Sequence, residues 1–185
     1  INIVESSFSL NSVFIDNTIS DGFDSDFSSG SITHSNLSNI GGDALDFSGS
    51  NVSIVNTKAS NVKDKAVSAG EKSDLNIENS QFINIGIGLA SKDGSVVNTS
   101  NTSILDYKLY GVMSYIKKDF YGSPKINISN STVSSGNDYV RQKGTSMTVD
   151  GIEILDDIIQ GRVEVKNYEI DDYVIVRKDN TPTYM

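Results

Sequence analysis

Two acidic residues, Glu71 and Asp93, occupy the same position relative to a serine that follows two residues later. They are 22 residues apart, so a chain that repeats with about that period would stack one carboxylate on the other. Stacked carboxylates repel each other unless a cation or a lysine lies between them, and Ca²⁺ prefers such oxygen ligands. The pair is therefore a candidate metal site, with calcium as the expected ion.

Lysines close to this pair in the sequence could act as bases. Lys65, Lys72 or Lys92 could act as a general base beside such a metal. The candidate catalytic residues are Asp64, Lys65, Glu71, Lys92 and Asp93. The alternative is that these residues are ordinary ion-paired surface positions, as most charged corner residues are.

Three aspartates suggest a second kind of chemistry, glycoside hydrolysis. Asp43 and Asp46 could form a hydrolase pair with Asp64, which lies about one repeat further along the chain. Glycosidases need two carboxylates about 5–10 Å apart, and neighbouring coils of a repeat can provide that separation. The sole histidine, His34, takes a position that asparagine holds in the later repeats, which favours a structural hydrogen-bonding role.

The segment Lys108–Lys125 is an insertion into the repeat and is rich in aromatic and basic residues. Loops added to one side of a solenoid often line its binding face. The candidate ligand-binding residues are Tyr110, Tyr115, Lys117, Lys118 and Tyr121, which with Phe120 could grip an acidic glycan. Alternatively, the loop covers the flank of the molecule with its aromatic side chains packed down.

Composition narrows the classes of partner. The chain has 185 residues, enough for one domain, with no cysteine and no tryptophan. Its net charge is −9, from 24 acidic and 15 basic residues, and no basic stripe is present, so we expect no nucleic-acid partner. No apolar run approaches the roughly 18–20 residues of a membrane span. We expect a monomer without a membrane span.

A repeat must position these side chains. Four alternating stretches end in asparagine followed by serine or threonine, with the asparagines at 56, 79, 101 and 130, which are 23, 22 and 29 residues apart. A period of about 20–50 residues indicates a solenoid. Each unit of about 22 residues would hold three short strands, stacked about 4.8 Å from parallel partners, with the asparagines forming an amide ladder at the corners. Phe14–Gly30 is expected to be an enlarged loop.

Three runs share the frame of this repeat: Gly42–Ser50, Val62–Ser73 and Gly86–Ser95. The pattern resembles the right-handed parallel β-helix, the fold of pectate lyases, polygalacturonases and phage tailspikes, and the runs look like β-helix regions of exported bacterial proteins. The resemblance implies an all-β, right-handed, single-stranded parallel β-helix over residues 1–155, with 96–124 as an enlarged coil. Residues 156–185 are expected to form the last coil and a C-terminal cap.

The resemblance also shapes the expected function. β-Helix polysaccharide lyases combine calcium with a basic residue, whereas the motifs of polygalacturonases are missing here. We therefore favour a non-catalytic extracellular module for carbohydrate binding or surface scaffolding, part of a larger protein secreted or displayed by a bacterium. Its partner would be a polysaccharide or cell-surface glycan. The alternative is a polysaccharide lyase, epimerase or hydrolase acting on an acidic glycan.

Overall fold

The chain folds into a parallel β-solenoid of about seven turns with about 22 residues per turn. The computed structural model describes residues 1–155 in full and, beyond them, the backbone of the strands at 158–159, 163–168, 172–177 and 182–184. Within these residues there is no α-helix, and one short 3₁₀ helix spans Asp119–Tyr121. The predicted all-β parallel solenoid is confirmed.

Each coil contains three strands separated by corners. The first two coils hold β1 (Asn2–Val4), β2 (Ser7–Asn11), β3 (Phe14–Thr18), β4 (Phe23–Asp26), β5 (Ser29–Thr33) and β6 (Asn36–Ile40). The prediction of a loop over Phe14–Gly30 is therefore wrong. Its glycines and serines mark corners of a regular coil, because the same residue types favour sharp corners and long loops.

In the later coils the third strand of one coil runs on into the first strand of the next. This applies to β9, β11 and β13. The strands of the later coils are β7 (Leu45–Ser48), β8 (Asn51–Val55), β9 (Lys58–Gly70), β10 (Asp74–Glu78), β11 (Gln81–Lys92), β12 (Val96–Ser100), β13 (Ser103–Tyr115), β14 (Lys125–Ser129), β15 (Thr132–Ser134), β16 (Tyr139–Gln142), β17 (Ser146–Val149) and β18 (Ile152–Glu153). The coils stack in register, so that Ile54 lies between Ile32 and Ile77. Such columns of apolar side chains fill the interior.

Left-handed residues form three corner columns along the solenoid. The first corner column consists of Glu5, Phe27, Gly49, Glu71 and Asp93. The second consists of Ser12, His34, Asn56, Asn79, Asn101, Asn130 and Asp150. The third consists of Asn17, Asn39, Asn61, Asn84 and Asp106. Asparagine and aspartate enter this backbone region at lower cost than most residues, since their short side chains bond locally.

The expected amide ladder is present in part of the second corner column. The side-chain amide of Asn130 donates to Asn101, and the amide of Asn56 lies 3.1 Å from Nε2 of His34. His34 therefore has a structural role, as predicted. The corresponding asparagines of the third corner column were not predicted, although their spacing of 22–23 residues is visible in the sequence.

A column of buried hydroxyl groups lies beside the first two corner columns. Ser50 Oγ accepts the N–H of Ser28 in the preceding coil at 3.1 Å, and Ser73 Oγ accepts that of Ser50 at the same distance. Ser80 and Thr102 repeat the arrangement at the second corner. Buried backbone groups that leave the strand ladder need such partners, so the buried Ser or Thr that follows each of these corners stabilises it.

A second, smaller apolar cluster lies on the outer face of one sheet. It consists of Ile87, Ala90, Leu109, Met113, Tyr115 and Val140. Ala90 and Met113 pair in register, while their neighbours Leu89 and Val112 face the interior. Part of this outer face is therefore closed to solvent.

The insertion between β13 and β14 lengthens one coil to 29 residues and contains the 3₁₀ helix. Further along, β19 (Ile158–Ile159) extends the parallel sheet by pairing with β16, and β20 (Val163–Tyr168), β21 (Asp172–Arg177) and β22 (Pro182–Tyr184) form an antiparallel sheet. The last coil and cap predicted over 156–185 stay a prediction, because only the backbone of these four strands is described there. No helix in the described part of the chain is long and apolar enough to cross a membrane.

Candidate functional site

A buried ionic cluster lies on the outer face of the sheet that contains β7, β9 and β11. Lys65 Nζ is 2.9 Å from Asp43 Oδ1 and 2.7 Å from Asp64 Oδ2. The side chains of Lys65 and Asp43 are each only 7% exposed, and that of Asp64 is 21% exposed. The structure thus brings together two predicted catalytic residues, Asp64 and Lys65, with Asp43 of the predicted hydrolase pair.

The ionic cluster shifts the pKa values of its members in different directions. Burial alone would raise the pKa of Asp43, but the Lys65 ammonium outweighs it and holds that pKa below its usual value. Burial, then repulsion from Asp43, raises the pKa of Asp64. Burial alone would lower the pKa of Lys65, yet the two aspartates raise it well above the usual range. Lys65 is therefore protonated at neutral pH.

Lys92 lies next to this cluster, but its surroundings differ from those of Lys65. It is half-buried, and its stem runs across Gly70, where a Cβ would stand 3.5 Å from the Lys92 Cε. No carboxylate of the described residues lies within 4.0 Å of its Nζ. Burial alone would lower the pKa of Lys92, but Tyr115 and Asp46 raise it. Lys92 is thus also protonated at neutral pH.

The protonation of Lys65 and Lys92 decides whether either can act as the predicted catalytic base. A lysine that abstracts a proton must be neutral, with a pKa lowered toward the working pH. For Lys65 and Lys92 the pKa shifts upward instead. The ionic cluster thus holds the Lys65 ammonium between two carboxylates, with Lys92 protonated nearby, and this electrostatics does not suit either lysine as a general base at neutral pH.

The stacked acidic pair lies at another corner. Glu71 and Asp93 occupy successive positions of the first corner column, as the repeat predicted. Asp93 is 2% exposed, and its Oδ1 accepts the backbone N–H groups of Lys117 and Lys118, each at 2.6 Å. Glu71 forms an ion pair with Lys118 and accepts the Tyr121 hydroxyl at 3.3 Å.

Calcium was the expected ion at this pair. In the part of the chain that the structure describes, no group of three or more acidic, histidine or cysteine side chains is placed to hold a metal ion. Glu71 and Asp93 instead receive donors from the inserted loop. The two carboxylates therefore anchor the loop to the solenoid.

The anchored loop presents an aromatic pair. Phe120 is 75% exposed, and its ring centroid lies 4.4 Å from that of Tyr121 at an interplanar angle of 37°. Lys117 is exposed beside them. Three of the predicted ligand-binding residues, Lys117, Lys118 and Tyr121, therefore meet in this loop.

The other two predicted ligand-binding residues lie elsewhere. Tyr115 is only 2% exposed and belongs to the outer apolar cluster, against which the half-buried Tyr110 packs. A ligand cannot reach the buried Tyr115. For this residue the alternative interpretation, an aromatic side chain packed against the flank of the solenoid, is the correct one. Alternation alone could not reveal this, because a second apolar layer outside the coil leaves no simple period in the sequence.

Comparisons with known proteins give no family. No family model and no solved structure matches the chain. The curated proteins that match it include glutamate–tRNA ligases: that of Aromatoleum aromaticum is 53% identical over 36 residues, 20% of this chain and 8% of the ligase. That of Francisella tularensis subsp. novicida is 42% identical over 52 residues, 25% of this chain and 11% of the ligase. The chain thus spans about a tenth of the length of these relatives.

Proposed function

We propose that the chain is a non-catalytic β-solenoid module of an extracellular bacterial protein and that it binds carbohydrate. The observation that carries the proposal is the anchored loop with Phe120 exposed beside Tyr121. An aromatic face buries apolar area against a flat partner such as a sugar ring, and a fixed loop loses little conformational entropy on binding.

The anchoring is what makes the loop a binding element. Two backbone N–H groups on Asp93 and an ion pair on Glu71 hold the segment before and around the 3₁₀ helix. Gly94 lies beneath it, where a Cβ would stand only 2.3 Å from the Tyr121 carbonyl oxygen. The aromatic tip therefore rests on the solenoid instead of projecting from a free loop.

The protonated lysines support a role without catalysis. Lys65 is committed to two carboxylates, and the pKa of Lys92 is raised, so neither fits a general base at neutral pH. A scaffold role at a cell surface is compatible with the same fold, since a solenoid offers a long regular flank.

Binding of glycans by the loop can be tested with one matched pair of variants. The wild type is screened on immobilised plant and bacterial polysaccharides, and each binder is measured by isothermal titration calorimetry. Phe120→Ala should weaken binding roughly tenfold or more, since it removes an aromatic anchor. Phe14→Ala, which removes another exposed phenylalanine, at 66% exposure, should leave affinity unchanged. Equal effects of both variants would refute the assignment to the loop.

A hydrolase acting on an acidic glycan is the second candidate, and one observation favours it. The pKa of Asp43 is lowered and that of Asp64 is raised, and an acid–base pair needs such a separation. Release of reducing ends or of unsaturated uronates from uronate polymers, abolished in Asp64→Asn, would establish this activity. The absence of product even at high concentrations of the wild-type protein would rule out the hydrolase.

A further inference from the structure

The third corner column forms a continuous amide ladder. Asn84 Nδ2 donates to Asn61 Oδ1 at 2.7 Å, and Asn61 Nδ2 donates to Asn39 Oδ1 at 3.0 Å. Asn39 Nδ2 in turn donates to Asp16 Oδ1 at 2.8 Å. All three bonds run in the same direction, toward the first coil, and end on a carboxylate.

The ladder leaves half of its hydrogen-bonding capacity to solvent. A carboxamide has two N–H donors and an oxygen with two lone pairs, and each bond along the ladder uses one donor and one lone pair. Asn39, Asn61 and Asn84 are all exposed. Each of these three asparagines therefore presents at least one spare donor and one spare acceptor, and successive asparagines are about 4.8 Å apart.

A groove of about 520 Å³ runs beside this ladder. The four asparagines of the column form part of its lining, together with Ile19, Lys63 and Lys108. Ile19 is 98% exposed and offers an apolar contact at one end of the groove. Its length spans the coils from Asn17 to Lys108, so it follows the solenoid axis.

The two lysines of the groove hold unpaired positive charge. Lys63 and Lys108 are exposed, and no carboxylate of the described residues lies within 4.0 Å of either ammonium. They occupy equivalent positions two coils apart, which places their backbones about 10 Å from each other. The Asp16 carboxylate, at one end of the ladder, already accepts hydrogen bonds from Ser38 and Asn39. Asp106 follows Asn84 as the last residue of the third corner column.

We propose that this groove binds a linear anionic polysaccharide along the solenoid axis. Its acidic groups contact Lys63 and Lys108, and its hydroxyl groups bond to the spare donors and acceptors of the amide ladder. A polymer is favoured over a small ligand because the polar groups repeat at every coil. The inference rests on the proposed carbohydrate binding but assigns it a second site, on a different corner from the Phe120 loop.

The experiment uses the full chain and two probes of the same length, an oligogalacturonate and a neutral cello-oligosaccharide, titrated by calorimetry. Lys63→Gln with Lys108→Gln should weaken oligogalacturonate binding by roughly tenfold or more, since it removes both charge-assisted contacts to the acidic groups. The matched control, Lys58→Gln with Lys125→Gln, removes two other exposed lysines and should leave the affinity unchanged. Wild-type affinity should also fall as salt is added.

The outcomes separate the groove from the loop. Phe120→Ala should retain oligogalacturonate binding in the groove. If that variant abolishes binding while the Lys63 and Lys108 variant retains it, the groove is refuted and loop binding stands. Equal losses in the control pair, or equal affinity for the neutral oligosaccharide, would also overturn the groove. If oligogalacturonate binds in the groove and Phe120→Ala changes the affinity for no other glycan, glycan binding by the loop is refuted.

Discussion

At the residue level, buried hydroxyl groups join each coil to the preceding one. The hydroxyl of Ser73 accepts the N–H of Ser50 and donates to the carbonyl oxygen of Gly70 at 2.7 Å. Ser73 is 1% exposed, so no bulk water can replace these contacts. The serine and threonine of the repeat therefore contribute to stability as well as to corner geometry.

Ser73→Ala should destabilise the protein by about 1–3 kcal/mol, since the Ser50 N–H loses its acceptor in a buried site. The free energy of unfolding in urea measures the effect. Ser53→Ala provides the control, because Ser53 is exposed on the neighbouring strand. An equal, small change in both variants would show that the buried hydroxyl column contributes little.

Lys65→Met should destabilise the protein strongly at pH 7, by roughly 3–5 kcal/mol, because Asp43 and Asp64 remain buried without their cation. In the wild type the pKa of Asp43 lies below its ordinary 3.8, so its stabilising contribution is present above that pH and is lost on acidification. In the variant both carboxylates resist ionisation, so the folded state binds protons more readily. Its stability should rise as the pH falls from 7 toward 4.

Thermal unfolding between pH 4 and pH 8 tests this pH dependence. Lys63→Met is the matched control, since Lys63 is exposed and forms no ion pair within the described residues. It should unfold like the wild type at every pH. A Lys65→Met variant with the wild-type pH profile would contradict the ionic cluster.

At the level of elements, Asp93 supplies the buried carboxylate that, together with Glu71, anchors the inserted loop. Asp93→Ala removes the acceptor of the Lys117 and Lys118 N–H groups, so hydrogen exchange should accelerate over 116–122 while the strands keep their protection. Asp74→Ala, at an exposed position of β10, is the control and should leave exchange in the loop unchanged. Unaltered exchange in Asp93→Ala would show that other contacts hold the loop.

The sequence predicted the strands far better than the sites between them. Alternation and the asparagine spacing identify the coils from Ile32 onward, because similar residues at equivalent positions form the same structure when coils stack. They fail over Phe14–Gly30, whose strands belong to the first two coils. The ionic cluster was harder to predict. Asp64 and Lys65 look like surface residues in the sequence, and their burial depends on side chains from two neighbouring coils, which no single repeat reveals.

The acidic pair of the candidate site was predicted correctly, but its partners were not, because the repeat carries information only about residues that recur. Glu71 and Asp93 were correctly aligned, since alignment follows from the period. Their partners come from an insertion that has no counterpart in other coils, so the repeat holds no information about them. The burial of Tyr115 likewise depends on an outer apolar layer specific to three coils.

At the level of the whole molecule, charge is unevenly distributed. Residues 1–57 contain seven acidic residues and no lysine or arginine, so they contribute −7 of the net −9, and the remaining 17 acidic and 15 basic residues contribute −2. Burial, then the neighbouring Asp24, Asp46 and Glu71, raises the pKa of Asp26. The first coils are therefore destabilised by repulsion among their own carboxylates.

Salt should stabilise the protein by screening this repulsion, with the melting temperature rising between about 0.02 and 0.5 M NaCl. Asp24→Asn with Asp26→Asn should raise the melting temperature at low salt and reduce its dependence on salt. The control, Asp74→Asn with Glu78→Gln, removes two charges from a region that also contains lysines and should have the smaller effect. A melting temperature independent of salt in the wild type would show that repulsion among these carboxylates does not limit stability.

The most direct test of the central claim, carbohydrate binding without catalysis, measures binding and product formation in the same sample. The full chain is titrated with each glycan that it retains in the screen, and the mixture is then assayed for reducing ends and unsaturated uronates. We expect saturable binding with the glycan recovered intact, weakened by Phe120→Ala for glycans that bind the loop and by Lys63→Gln with Lys108→Gln for anionic glycans that bind the groove. Glycan cleaved at a rate proportional to protein concentration, and no longer cleaved by Asp64→Asn, would contradict carbohydrate binding without catalysis.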